Sequence, residues 1–327
     1  MKEIIVRENE AGQRMDKLLS KYLKEAPKSF IYKMLRKKNI TLDGKKASGN
    51  EILKTGNSIR FYLSDETYEK FAGPQDSAKQ LLPSGVKPLK AAEILYEDEH
   101  IILMNKPAGW LSQKAEPKDV SMNERMLAYL VGSGKITEAE LSTFHPSVCN
   151  RLDRNTSGIL IGGKSLAGLQ EMSRMLKDRS LHKYYQCIVK GKITEAQRIS
   201  GYLSKDETTN KVRVTKEPGK DAKKIVTEYR PLAYCKEGTL LEILLVTGRT
   251  HQIRAHLASI GHPILGDPKY GDAKTNQRIL QNHRIRHQTL HAARVELPVI
   301  DGKLGYLSGK CFEAPLPETF ARITSEK

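Results

Sequence analysis

The chain has 327 residues, 39% of them hydrophobic, and its 55 Lys and Arg against 38 Asp and Glu leave a formal net charge of +17. That length supports one large domain with a smaller companion, and no apolar run approaches the roughly 18 residues that a membrane-spanning helix needs. Cys149, Cys187, Cys235 and Cys311 are scattered without a Cys-x-x-Cys pair and the start MKEIIVRENE has no apolar signal core, so the composition excludes a disulfide scaffold and predicts a cytoplasmic protein with a polyanionic partner, nucleic acid ahead of membrane.

In chain order, MDKLLSKYL puts Met15, Leu18, Leu19, Tyr22 and Leu23 on one helical face. SFIYKMLRKK does the same with Phe30, Ile31, Met34 and Leu35, with Ser29 the expected N-cap. ITLDGKK then predicts a strand entering an Asp43-Gly44 turn, and SIRFYL a returning strand. Lys28, Lys33, Arg36, Lys37, Lys38, Lys45 and Lys46 crowd this stretch against one acid, Asp43. A solvated surface would explain a basic total, but not this local concentration. Residues 1–64 therefore read as a small α/β RNA-binding domain. Periodicity fails over 65–90, where Pro, Gly, Ser and charges accumulate, and this segment reads as a linker.

Residues 91–327 read as a second domain. Its expected strands are IILMNKP, GILIGGK, YYQCIVKG, IVTEYRPLAY and TLLEILLVT, the last two joined as a hairpin through CKEG. Its expected helices are SLAGLQEMSRMLKD and THQIRAHLASIG, the latter capped by Thr250 and closed by Gly261. Hairpins interspersed with isolated helices imply an α+β fold with a mixed, largely antiparallel sheet rather than a doubly wound parallel one.

NRLDRNTSGIL sets Asp153 between Arg151 and Arg154, just before a Thr156-Ser157-Gly158 turn that opens a strand. An ionised, positioned and shielded aspartate can act as nucleophile or base. An isolated Arg-Leu-Asp is more often a surface acid capping a turn. Its companions are NKPAGW, KYYQCIVKG, TGRTHQIRAHLASIGHPILGDPKYG and LHA. The ordered set resembles the RluA-like family of RNA pseudouridine synthases, which convert uridine to pseudouridine. The first 64 residues resemble, more loosely, the small RNA-binding module shared with small-subunit ribosomal protein S-four.

The resemblance implies a role for particular residues. Asp153 falls on the family's catalytic aspartate, Tyr185 on the active-site tyrosine with Tyr184 its rival, and Arg254 on the basic partner of the aspartate. Arg151 falls on the arginine that fills the space of an extruded base. It further implies large-subunit ribosomal RNA as substrate, a monomer, and no cofactor or metal. The chemistry is consistent with those roles. Uracil must leave its stack before its glycosidic bond can be cut, at a cost of a few kcal/mol. A tyrosine face offers a stacking contact of about 1–3 kcal/mol in return, and a guanidinium against Asp153 would keep it charged in a dry pocket. Whether Asp153 attacks the sugar or acts on it as a base stays open at this point.

Other residues carry weaker signals. Arg249, His251 and Gln252 are candidate phosphate or pocket contacts, and Trp110 reads as a packing anchor. His283, His287 and His291 recur every four residues, a metal-binding spacing were they on one helix, though no carboxylate or cysteine accompanies them. Asn150 stands where family members commonly have a histidine. Two other functions compete with ribosomal RNA modification: a non-catalytic RNA-binding ribosome assembly factor, and the same chemistry on transfer RNA.

Overall fold

The computed structural model describes residues 1–73, 85–137, 140–206, 211–219 and 221–325. Near the N-terminus, strands β1 (Lys2–Ile5), β2 (Ile40–Leu42), β3 (Lys45–Lys46) and β4 (Ser58–Phe61) form an antiparallel sheet in the order β1-β4-β2-β3. The Asp43-Gly44 turn has both residues at positive φ, 49° and 73°. This is the pairing that two-residue hairpins favour. Asp43 also accepts hydrogen bonds from Ser58 N and Asn57 Nδ2, both at 2.7 Å, tying the turn to β4.

Helices α1 (Met15–Tyr22) and α2 (Lys28–Arg36) cover this sheet. The expected apolar faces supply its core, with Met15, Leu18, Leu19, Ile31 and Leu35 buried against Ile40, Ile59 and Phe61. Ser29 is not the N-cap of α2. Pro27 holds that position at φ −63° and ψ 147°, and Ser29 lies in the first turn. The preset φ of proline suits a helix start, where the missing N–H costs nothing.

Residues 65–72, within the expected linker, form helix α3 (Asp65–Ala72). Ser64 caps it through Thr67 N at 3.3 Å, and Phe71 and Tyr68 meet Phe30 and Phe61 at ring separations of 4.2 and 5.4 Å. Two aromatics per two turns, diluted by charges, escape a periodicity search but suffice once a core is present to receive them. The middle of the expected linker, 74–84, lies outside the described residues.

The rest of the described chain forms an eleven-stranded mixed sheet with the path β11-β10-β12-β13-β9-β14-β8-β6-β5, where β7 pairs with β8 and β15 with β14. Its strands are β5 (Ile94–Glu97), β6 (Ile101–Lys106), β7 (Ser147–Val148), β8 (Ser157–Gly163), β9 (His182–Lys190), β10 (Gln197–Asp206), β11 (Lys211–Thr215), β12 (Lys223–Cys235), β13 (Gly238–Leu244), β14 (Leu290–Glu296) and β15 (Cys311–Glu313). Among them only β14 and β8 run parallel. The α+β expectation therefore holds.

Strand β8 is buried along its whole length. Alternation divides it: Leu160 joins Ile102 and Met104 under helix α4 (Met122–Gly132), while Ile159 and Ile161 join Ile101 and Leu103 under helix α5 (Leu166–Asp178). Sequence reading missed helix α7 (Ala273–His283), β10 and β11, where polar residues fill much of the faces, and α4, whose apolar residues spread around the helix rather than forming one stripe. Helix α6 (Gln252–Ser259) is present where expected, but His251 at φ 55° caps it rather than Thr250.

Gly158 lies where β8 meets β14, at φ 104°, and a Cβ there would stand 2.2 Å from the Ala292 carbonyl oxygen. Replacing it with alanine combines left-handed strain with a backbone clash. Gly158→Ala should therefore lose about 3 kcal/mol or more in urea unfolding.

Candidate active site

The segment leading into β8 is held from three sides. Ser112 Oγ donates to Leu152 O and accepts from Leu152 N, each at 3.0 Å. Asn150 Oδ1 accepts from Ile161 N at 2.8 Å, bridging the segment to its own strand. A turn closes from Thr156 N to Asp153 O at 3.0 Å. Beyond the turn, Ser157 Oγ meets His291 Nδ1 at 2.8 Å and Gln288 Nε2 donates to Thr156 Oγ1 at 3.4 Å, so both hydroxyls brace the loop against β14 and its lead-in.

Asp153 projects from this turn with its side chain 25% exposed. Arg254, in the first turn of α6, donates from Nη1 to Asp153 Oδ2 at 2.9 Å. Its other edge grips Asp267 through Nε and Nη2 at 2.7 and 2.9 Å. Asp267 is fully buried and also accepts from the backbone N–H groups of Lys269 and Tyr270. The Arg254 guanidinium and these N–H groups hold the Asp267 carboxyl below its ordinary range despite burial. The two carboxylates in turn hold Arg254 above its own, against the cost of burial.

Tyr185 lies in β9, opposite Ala292 of β14, which in turn pairs with Gly158. Its ring is buried, and burial together with the nearby Asp153 charge pushes its phenol well up. Strand alternation points Tyr184 to the other face of the sheet from Tyr185. There Tyr184 carries the Arg294 guanidinium 3.7 Å from its ring centre. Asp153, Arg254 and Tyr185 thus converge. Arg151, two residues before Asp153 in the chain, is exposed and pairs with no described residue.

Residues 100–259 match the family model described as RNA pseudouridylate synthase. The chain is 32% identical to an uncharacterized RNA pseudouridine synthase of Mycoplasma genitalium, over 92% of this chain and 90% of that protein. It is 32% identical to ribosomal large subunit pseudouridine synthase C of Vibrio cholerae, again over 92% and 90%. The chain belongs to the RNA pseudouridine synthase family. Another member is ribosomal large subunit pseudouridine synthase D of Nitrosomonas europaea, 30% identical over 98% of this synthase and 86% of its relative. Human RNA pseudouridylate synthase domain containing 4 shares the fold, with a TM-score of 0.55 at 20% identity over 76% of this chain and 94% of that one.

The weaker candidates of the synthase divide between those that keep and those that lose their expected roles. Gln252 is no phosphate contact. It is buried and spent on Thr247 Oγ1, Val226 O and Thr227 Oγ1 at 2.8, 3.0 and 3.1 Å. Arg249 is exposed, while His251 turns inward, with Nε2 3.9 Å from Asp153 Oδ2. Trp110 packs under the Arg125 guanidinium, 4.6 Å from its ring centre, as a packing anchor should. The three spaced histidines share no helix: His283 ends α7, His287 lies in a loop and His291 is on β14. Among the described residues no group of three or more His, Cys, Asp or Glu side chains could hold a metal ion.

Sequence reasoning assigned no role to Lys106, Asp267 or Tyr270, although NKPAG and GDPKYG belong to the motif set. Lys106 is fully buried, and its Nζ donates to Arg154 O at 2.9 Å and Pro107 O at 3.1 Å. It thereby pins the loop that carries Asp153. Burial drives its amine down to about 7 from 10.5, with Asp153 pulling the other way. The unfolded chain therefore holds this proton more tightly than the folded one between those values, so folding gains stability as pH rises through them. Urea unfolding should show wild type gaining on Lys106→Met across that window, and a pH-independent difference would contradict the assignment.

Proposed function

We propose that this synthase isomerises uridine to pseudouridine in large-subunit ribosomal RNA, with Asp153 acting on a nucleotide swung out of its stack. The observation that carries the reading is the Arg254 guanidinium shared between Asp153 and the buried Asp267. It supplies a partly exposed carboxylate held in place near a tyrosine ring. In the reaction the bond from C1′ to N1 breaks, the sugar is rejoined to ring carbon five, and the hydrogen of that carbon passes to solvent while N1 gains a proton. Nothing is oxidised or hydrolysed. Asp153 either attacks C1′ or removes a sugar proton; both routes use a lone pair of its carboxylate.

Tyr185 offers the face on which the uracil stacks, a contact of about 1–3 kcal/mol. Arg151, exposed and unpaired among the described residues, is suited to enter the space that the base vacates. The names of the Vibrio and Nitrosomonas relatives favour the large ribosomal subunit over transfer RNA. The test is tritium release from RNA labelled at uracil ring carbon five. Wild type should release tritium and Asp153→Asn should not. Equal, negligible release from both would favour a non-catalytic assembly factor.

Residues 1–64 we read as an RNA-binding module, continued by α3. Lys33, Arg36 and Lys37 are exposed along α2 and its end, and form no ion pair with a described residue. Replacing all three with glutamine should leave tritium release intact at saturating RNA. The slope of log affinity against log salt should become shallower by about 2, roughly 0.7–0.9 for each lost phosphate contact.

A further inference from the structure

Resting on the assignment of Asp153, we propose that His251 is a positioning residue, locked by Tyr270 as the Nε2–H tautomer so that it and Arg254 back one oxygen of Asp153 and leave the other turned to the nucleoside. Tyr270 Oη accepts the backbone N–H of Val212 at 3.0 Å. With that lone pair used, the phenolic proton has a partner in His251 Nδ1, 2.9 Å away. An imidazole that accepts at Nδ1 carries its hydrogen on Nε2.

The same tautomer follows from the other side of the ring. His251 Nε2 faces Asp153 Oδ2 at 3.9 Å. A lone pair there would oppose a carboxylate, whereas an N–H is attracted to it. That separation exceeds a hydrogen bond, so the contact acts through charge and leaves room to tighten. Arg254 Nη1 donates to this same Oδ2 at 2.9 Å, while Oδ1 accepts no hydrogen bond from a described residue. The terminal torsion of an aspartate is soft, and donors grouped on one oxygen fix the carboxylate plane.

The setting is rigid. The rings of His251 and Tyr270 meet edge to face at 5.6 Å, and the Arg254 guanidinium stands 5.2 Å from the Tyr270 ring centre. His251 itself sits at φ 55°, a left-handed conformation that costs a non-glycine residue energy and clusters at functional sites. Burial first, then the neighbouring Arg254 and Lys269 charges, lower its basicity against the pull of Asp153. A neutral ring is what the Tyr270 hydrogen bond requires.

Two measurements test this. Nitrogen-15 spectra of the full-length protein should show His251 Nε2 protonated and Nδ1 accepting. Tyr270→Phe, which keeps the ring and removes the proton donor, should turn that into a mixture of tautomers. A wild-type ring protonated on Nδ1 would overturn the proposal. In single-turnover tritium release, His251→Phe should slow the chemical step about tenfold with RNA affinity unchanged, and His251→Gln, which restores an N–H near Nε2, should recover part of it. Weaker RNA binding at an unchanged chemical rate would instead make His251 a phosphate contact and sink the idea. Undiminished release by Asp153→Asn would refute the underlying site assignment, and the spectra, which need no turnover, keep the two failures apart.

Discussion

One guanidinium joins two carboxylates of unequal burial, and the site is built outward from that. Arg254 spends Nε and Nη2 on Asp267, which is sealed from solvent, and has Nη1 left for Asp153, which is not. The planar fork makes the division geometric: once Asp267 is gripped along one edge, the direction of Nη1 is fixed. A lysine could neutralise either acid but could not transmit a direction. Breaking such a buried pair by removing one partner typically costs about 3–5 kcal/mol, because the survivor keeps its desolvation without its partner. Asp267 is in turn held by the backbone of its own loop at Lys269 and Tyr270. Positional information therefore runs from a tight loop, through a buried acid and a guanidinium, to the acid at the surface.

The sheet supplies the other coordinate. Ala292 pairs with both Tyr185 and Gly158, and Gly158 pairs with Lys106. One row across four strands thus aligns the buried tyrosine, the glycine that lets two backbones approach, and the lysine beneath the Asp153 loop. Residues separated by scores of positions in the chain share a few ångströms because hydrogen-bonded strands cannot slip without turning a whole apolar face outward. In β8 the close approach at Gly158, where a Cβ would stand 2.2 Å from the Ala292 carbonyl oxygen, pins that register.

What could be read from sequence followed from local chemistry. The Asp43-Gly44 turn, the apolar run of β8 and the apolar faces of α1 and α2 each depend on neighbours a few residues apart, and each is found as expected. Asp153, Tyr185 and Arg254 were legible only as members of an ordered motif set, since nothing local separates this aspartate from a turn-capping one. The rest depended on partners distant in sequence. Ser29 and Thr250 look like caps until Pro27 and a left-handed His251 take those positions. Gln252 looks like a polar contact until Thr247 and the Val226–Thr227 backbone and hydroxyl consume it. Helix α3 is too short and too charged to announce itself, and exists because Phe30 and Phe61 await its aromatics.

The basic residues behind the formal charge of +17 include two populations with opposite physics. Lys33, Arg36 and Lys37 stay in water, where each charge costs little, acts over roughly the 8–10 Å of the Debye length and weakens with salt. Such charges gather a polyanion without choosing among its nucleotides. Lys106 and Arg254 are buried, so they act only over contact distances and resist screening, and each is anchored by oxygen acceptors of the protein itself. A ligand's phosphates cannot recruit these buried groups without dismantling the loops they hold. Attraction of RNA and orientation of the proposed catalytic acid are thus carried by separate sets of basic side chains. Changes on the surface can retune affinity while the Asp153 geometry stays as the interior sets it.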